Sequence, residues 1–583
     1  MDAWNSLLAG PRGDFPRGPA PGPALPGRPW VVWLLAACLI PRAVAAWNWN
    51  VLWGDSLHYR YASICLEQGD FQQGFAEFGL NAYPLILIPL RHLGVDWEVA
   101  GKYFGVMAAS LTVLPLWGWL RRMFDDRLAV IACCIYALHG KLIAISPLII
   151  RDSTFWFLLV LTIYFLWRAV AELRIAFFLA AGLAMTLTVH TRTEGWLLLI
   201  PLLGWAARRW SAPHRLRLAM GTLLCLAVIP ATVAVVNFTW LRENPRWEFF
   251  RVTHLDAAVD WWNSVTGMHL PAPQSGDVPA QNPDVQAIRQ LLEARAATGK
   301  LAAKAAPFAS ISVPPCIPPE QATPSWTLTF KLLERLVKGC TWAGGFLLLA
   351  GLVCGWRILL RPEHLALLCM NLILILISRI RYWTLGLDLR YFMPIVIVGV
   401  PWMALGLQHT IAFVRRLCEQ RGELSPRVSN LVVGCLIAVF VAGSLLDGPM
   451  SAAVYMRQHA ALGRWIYDHA GPEPALAGNL DHLTLETYYS DGHMVGIFWP
   501  RDCLLVPLPP AVSERIADVV VLWNEGNIDV HYLPEIERRI AYYGYRRIDA
   551  EELPAGKDEL MVFVREKGFS LNYGSRPAFS CNK

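Results

Sequence analysis

Charge is scarce in this sequence. Of its 583 residues only 16% are charged, against 55% hydrophobic, and the mean hydropathy is +0.38. A soluble chain of this length cannot hide so much apolar surface, so the composition excludes an ordinary soluble protein and fits a polytopic membrane protein carrying some soluble mass. The 13 cysteines contain no CxxC pair. Cys38, Cys133, Cys134, Cys225 and Cys435 fall inside apolar runs, where a small buried hydrophobe is the default role, so neither a disulfide framework nor a zinc site is indicated. GxGxxG and P-loop patterns are lacking, as is a repeat of fixed period, and no basic-aromatic pattern suits nucleic acid. The short basic start and small-residue cleavage site of a signal peptide are not found either. The net charge of +6 is modest; where the basic residues lie says more.

What the chain does have is long apolar runs. Residues 1–29 are too rich in Pro and Gly to pack and read as a disordered cytoplasmic tail. Beyond them, apolar stretches lie near 30–47, 99–120, 128–146, 153–170, 175–190, 195–208, 218–237, 341–359, 363–379, 391–411 and 429–446. At roughly 17–25 residues per crossing these predict about eleven spans. With the N-terminus inside, the inner connections hold Arg121, Arg122 and Arg127; Arg168 and Arg174; Arg208, Arg209, Arg215 and Arg217; Arg357 and Arg361; and Arg415, Arg416, Arg421 and Arg427. Each is short and arginine-bearing, as the positive-inside rule requires. The sequence therefore predicts a mainly α fold: a membrane domain over 30–447, with outer loops at 48–98 and 238–340, and an extracytoplasmic α/β domain over 448–583. In that last part Ala517–Trp523 and Leu560–Arg565 read as strands and Pro534–Tyr543 as a helix.

Four groups of ionisable residues then need explaining, because such residues are costly at a membrane unless they face water, a partner or a ligand. They are Asp55 with His58; Arg151-Asp152; His190-Thr191-Arg192-Thr193-Glu194; and Arg379, Arg381, Asp388 and Arg390, leading into Tyr391. On a helix Asp55, His58, Tyr59 and Ala62 share one face. An interfacial helix with an aromatic anchor accounts for that face alone, and loop ion pairs account for the others one at a time. All four groups fall on the same, outer side of the predicted topology, which favours a shared polar cavity. Carboxylates suit general-base work, and Arg and His suit a phosphate. Together they fit transfer of a group from a lipid phosphate to a hydroxyl or amine.

Several motifs, in this order, resemble the GT-C membrane glycosyltransferases that use polyprenyl-phosphate sugars, namely the protein O-mannosyltransferases and the bacterial aminoarabinose (lipid A) transferases. They are Asp55-x-x-x-Tyr59-x-x-Ala62 followed by Gly69-Asp70-Phe71; Tyr83-Pro84 opening an apolar run; Arg151-Asp152 at a span start; Thr191-Arg192-Thr193-Glu194-Gly195 before a span; and Arg390-Tyr391-x-x-Pro394. The resemblance covers roughly residues 30–410 through order and spacing, with no single motif specific. It implies that Asp55 is the first-loop catalytic acid and acts as the base, and that Asp152 is the second essential acid. Arg192 and Arg390 would contact phosphate or organise the site, with His58, Tyr59, Arg151, Glu194 and Tyr391 also on the donor or substrate side. Two departures stand out: Ser56 where the family often has a second acid, and His58 where the aminoarabinose branch tends to carry Arg. Ser56 weakens the case for a metal held by adjacent acids, so no metal ligands are assigned, although a divalent cation stays open as a cofactor.

The function implied is an inverting hexosyl- or pentosyltransferase in the cell inner membrane. It would move a sugar from a polyprenyl-phosphate donor to a protein, lipid or glycan acceptor on the outer side. Its partners are that donor, that acceptor and membrane lipids, with no nucleic acid. A transporter or lipid flippase is the rival reading. It would place ionisable residues near the bilayer midplane and show repeats or broken helices.

Overall fold

In the computed structural model the chain divides into two compact units: residues 1–49, 62–278 and 312–449 form one, and 50–61, 279–311 and 450–583 the other. The structure describes residues 29–49, 52, 54–75, 79–242, 325–385, 389–420 and 426–446, and then 450–471, 473–478, 490, 493–499, 504–507, 518–523, 540, 545–549, 551–553 and 560–565. The N-terminal tail, the Pro271–Pro283 and Val285–Ala306 segments, Asp388, most of the 534–543 segment and the Tyr488–Gly492 stretch apart from Ser490 lie outside them, as do the side chains of Arg379 and Arg381.

The larger unit is a helical bundle. Its helices are α1 (Pro29–Asn48), the C-terminal half of α2 (Gly54–Glu67), α3 (Ala82–His92), α4 (Trp97–Leu111), α5 (Val113–Met123), α6 (Asp126–Leu138), α7 (Gly140–Ile145), α8 (Asp152–Glu172), α9 (Ile175–Thr191), α10 (Leu199–Arg208) and α11 (Arg215–Thr239), followed by α12 (Ser325–Cys340), α13 (Trp342–Cys354), α14 (Pro362–Leu385), α15 (Met393–Gln420) and α16 (Pro426–Leu446). Every predicted apolar stretch falls on one of these or on an adjoining pair. Among the described residues five helices are long and apolar enough to cross a membrane, six if the pair at 332–354 counts as one, and three shorter apolar helices accompany them. The rest of the predicted set is interrupted helix. α6 and α7 part at His139, α12 and α13 meet at 97° around Thr341, and a 3-10 segment (Thr193–Leu198) precedes α10. Thr341 has a φ of 61° and its hydroxyl caps α13 by accepting from Gly344 N at 3.2 Å.

α8 lies at the centre, packed on α4, α5, α9 and α10. Trp156 from α8, Trp119 and Trp205 are wholly buried, and Trp167 meets Trp205 edge-on at 5.1 Å. Hydroxyls within the helices are satisfied locally: Thr162, Thr186 and Thr188 each donate to the carbonyl four residues back, and Thr162 and Thr188 meet at 3.0 Å between α8 and α9. Such pairing is what a helix needs where no water competes. The rim is apolar instead of charged, with Trp33, Leu183, Leu223, Leu349 and Val439 exposed. That is the outside of an integral membrane bundle.

Of the charges buried in this bundle, one belongs to α1. Arg42 of α1 is fully buried, and it donates to Cys38 O and Ala137 O at 3.0 Å and to Tyr136 O at 3.2 Å. The last two carbonyls close the C-terminus of α6, where the helix leaves carbonyls unpaired and its dipole is negative. Beside this junction His139 meets Cys340 O at 3.2 Å, and Gly140 N donates to Ser444 Oγ at 3.1 Å.

In the second unit α17 (Met450–Ala470) accompanies a six-stranded sheet in the order β3-β2-β1-β4-β6-β5, from β1 (Ala475–Gly478), β2 (His493–Trp499), β3 (Leu504–Pro507), β4 (Val519–Trp523), β5 (Tyr545–Arg547) and β6 (Leu560–Arg565). β1 runs parallel to β2 and β4, and the outer pairings are antiparallel. Ala477, Val520 and Phe563 share one buried face; Leu476, Val521 and Val562 share the other, against Leu462 and Ile466 of α17. Burial on both faces explains why β4 and β6 read as continuous apolar runs rather than alternating ones.

Candidate active site

α9 ends at Thr191, and Arg192 leaves it in an extended conformation, with its backbone N–H still given to Thr188 O at 2.9 Å. The chain then folds straight back into the 3-10 segment. Gly195 makes that return feasible, since a Cβ there would meet Val189 N at 2.8 Å and the Thr188 carbonyl carbon at 2.9 Å. The turn points the Arg192 side chain at the first turn of α8, where Asp152 sits. An acid in that position is favoured by the positive end of the helix.

There Arg192 gathers two carboxylates. Its Nη1 donates to Asp152 Oδ1, its Nη2 to Glu194 Oε1 at 3.0 Å and its Nε to Glu194 Oε2 at 3.2 Å. The Glu194 pair is the two-pronged geometry that a guanidinium fork matches best. The side chains of Arg192 and Asp152 are each only 3% exposed and that of Glu194 9%, so water screens the cluster little. The Arg192 Cζ lies 4.7 Å from the Tyr391 ring centre and 5.6 Å from that of Phe155. Burial alone would weaken the hold of Arg192 on its proton. The charges of Glu194 and Asp152 outweigh that and raise its pKa further.

Arg390, half-buried, adds a second cation 5.6 Å from the Tyr391 ring. Arg151 is adjacent in sequence to Asp152 and half-buried. The structure thus joins Asp152, Arg192, Glu194 and Tyr391, with Arg390 alongside, from three segments distant in sequence. His190, on α9, stays outside this set, its buried Nε2 without a hydrogen-bond partner among the described residues. Asp55, His58 and Tyr59 occupy the first two turns of α2, in the other unit: Tyr59 is buried, Asp55 and His58 half-buried, and they share the helix face predicted from spacing. Phe155 is the member that spacing did not single out. It follows Asp152 by three residues on the same helix face, and nothing in an Asp-Ser-Thr-Phe-Trp-Phe run marks it off from core aromatics. Among the described residues no three of His, Cys, Asp and Glu converge as a metal ion would need.

Two further sequence features lie elsewhere in the bundle. Tyr83, at the head of the apolar run, is buried in α3, whose first turn is capped by Asn81 Oδ1 accepting from Tyr83 N at 3.0 Å. The Asn237-Phe238-Thr239 sequon lies in the last turn of α11, where the Asn237 amide is buried and donates to Val233 O at 3.0 Å.

Residues 92–240, which carry Asp152, Arg192 and Glu194, match the model of the dolichyl-phosphate-mannose-protein mannosyltransferase family. The structure is similar to that of ArnT from Cupriavidus metallidurans bound to undecaprenyl phosphate, with a TM-score of 0.52 and 14% identity over 92% of this chain and 98% of that one. It is also similar to the apo Archaeoglobus fulgidus oligosaccharyltransferase, with a TM-score of 0.50 and 14% identity over 89% of this chain and 72% of that one, and the same enzyme in complex with zinc and sulfate gives the same score. No curated protein matches the chain in sequence. The helical architecture is therefore that of the GT-C fold.

Proposed function

We propose that the protein transfers a sugar from a polyprenyl-phosphate donor to a hydroxyl or amine acceptor at the outer membrane face, with inversion at the sugar. The observation that carries this reading is the buried Asp152–Arg192–Glu194 cluster at the ends of two apolar helices within a GT-C fold. Ionised groups in such a place are rare, pair with one another or with backbone carbonyls, and often mark a substrate path. The family model names a dolichyl-phosphate-mannose donor, and ArnT was seen with undecaprenyl phosphate. Both support a polyprenyl-phosphate donor here.

In the proposed reaction Asp55 takes the acceptor proton. The acceptor atom bonds to the anomeric carbon from the side opposite the phosphate, and the bond from that carbon to the phosphate oxygen breaks. Its electron pair leaves with the polyprenyl phosphate, whose charge cations such as Arg390, Arg151 and His58 stabilise. Asp152 orients the acceptor. The reaction takes place on the extracytoplasmic side of an inner membrane. A divalent cation could assist at the phosphate, and comparing activity in chelator with activity in magnesium or manganese decides that.

Asp55→Asn tests the assignment. The variant is expected to insert and fold as wild type while transfer falls by about a thousandfold or more, the scale lost when a general base is removed from a preorganised site. Purified protein in nanodiscs, given a panel of polyprenyl-phosphate sugars and assayed for donor consumption, supplies the measurement. Wild-type turnover by the variant removes Asp55 from the mechanism.

A further inference from the structure

Sequence pattern offers Arg192 to the donor phosphate, but its surroundings leave it little to offer. All three of its nitrogens already donate to carboxylates, Nη1 to Asp152 and Nη2 and Nε to Glu194. Its side chain is 3% exposed, and the rings of Tyr391 and Phe155 lie against the guanidinium. Three of its five N–H groups are given to carboxylates, and a phosphate reaching the remaining two would lie directly beside both buried acids. The charges point the same way. Two carboxylates and one guanidinium sum to a net negative cluster, which repels a phosphate instead of attracting it.

We propose that Glu194 and Phe155 are positioning residues for Asp152, acting through Arg192, and that the donor phosphate is taken by Arg151 and Arg390 rather than by Arg192. The phosphate part rests on the donor reading given above. The geometry assigns each member a distinct task. Glu194 fixes the plane of the guanidinium through its two-pronged grip. Phe155 stands on the same helix as Asp152, one turn further along, and so sets how closely the guanidinium can approach that helix. Tyr391, from the 3-10 turn Leu389–Phe392, adds the second ring. Arg192 then presents one nitrogen to one oxygen of Asp152 and leaves the other carboxylate oxygen for the acceptor. Side chains locked in this way hold a reacting group to the tolerance that catalysis needs.

The test compares Glu194→Gln, Phe155→Leu, Arg192→Lys, Arg151→Gln and Arg390→Gln with wild type, as full chains in nanodiscs. Binding of undecaprenyl phosphate alone and steady-state transfer are both measured. Glu194→Gln, Phe155→Leu and Arg192→Lys are expected to lower kcat by about tenfold or more, with donor KM and undecaprenyl-phosphate binding within about twofold of wild type. Arg151→Gln and Arg390→Gln are expected to weaken that binding by about tenfold or more. The assignment is overturned if Arg192→Lys weakens undecaprenyl-phosphate binding as much as they do while Glu194→Gln leaves kcat unchanged. Should wild type neither bind undecaprenyl phosphate nor turn over any donor, the donor reading fails, and the clamp is judged by heat unfolding alone. Arg192→Gln and Glu194→Gln combined should then lower the midpoint hardly more than the larger single change, whereas additive losses refute the clamp.

Discussion

Arg42 and Arg192 are both buried arginines in the same bundle, and they are neutralised in opposite ways. Arg42 donates to backbone carbonyls, two of them at the end of α6, and lies 5.0 Å from the Tyr136 ring, with no carboxylate partner among the described residues. Arg192 faces two carboxylates and two rings. A carbonyl cannot ionise, accept a proton or leave, so the Arg42 junction closes a helix end and holds α1 to α6. A carboxylate can do all of the reactive work, and keeping one buried beside an arginine costs desolvation that packing alone would not require. The contrast offers a way to rank buried charges in a membrane protein: the chemistry of the partner tells structure from function better than the depth of burial does.

The sharpest way to break this contrast is to remove the charge at Arg42. Arg42→Leu leaves the Tyr136 and Ala137 carbonyls unpaired, at about 1–3 kcal/mol for each buried group so abandoned. The yield of folded protein and its unfolding temperature in detergent should fall, while transfer per folded molecule stays near wild type. Equal loss of specific activity in Arg42→Leu and Arg192→Gln would erase the distinction. A smaller effect tests the junction from its other side. A Cβ at Gly140 would lie 1.9 Å from Ser444 O, so Gly140→Ala must push α16 outward, at about 1–3 kcal/mol of overpacking. Its unfolding midpoint should drop and its transfer rate hold. The smallest effect is expected at Asn237, whose amide serves its own helix. Asn237→Gln should change stability by about 1 kcal/mol or less. In a glycosylating host, intact mass should show no glycan on the wild-type Asn237, and a glycan there would contradict the buried amide.

Much of the architecture was legible because apolar runs of span length have few alternatives to helix in a membrane. β4 and β6 were legible for a related reason, since a strand buried on both faces shows as an unbroken apolar run. The interruptions were not. The 128–146 run reads through His139-Gly140-Lys141 as one span, and the break there is held by distant contacts, Cys340 O and Ser444 Oγ; at Thr341, where a predicted run begins, the bend into α13 is capped locally through Gly344 N. Asp152, Arg192, Glu194 and Tyr391 could be nominated only as ordered motifs, because residues 40 and more positions apart meet through packing that no local pattern encodes. Phe155 and Arg42 were missed for opposite reasons. One looks like every other core aromatic, and the other stands beside Pro41, where it reads as a blemish in the first apolar run.

Arg42 also bears on how the chain enters its membrane. The carbonyls it needs at Tyr136 and Ala137 are made 94 and 95 residues later. Until then α1 carries an unmatched charge, which insertion into lipid penalises by about 2.5–3.5 kcal/mol when it lies mid-helix. α1 is therefore a poor anchor by itself. It settles only when α6 arrives, so the order of biogenesis is written into one hydrogen-bonded side chain, and a truncated chain ending before Leu138 should be a substrate for membrane quality control.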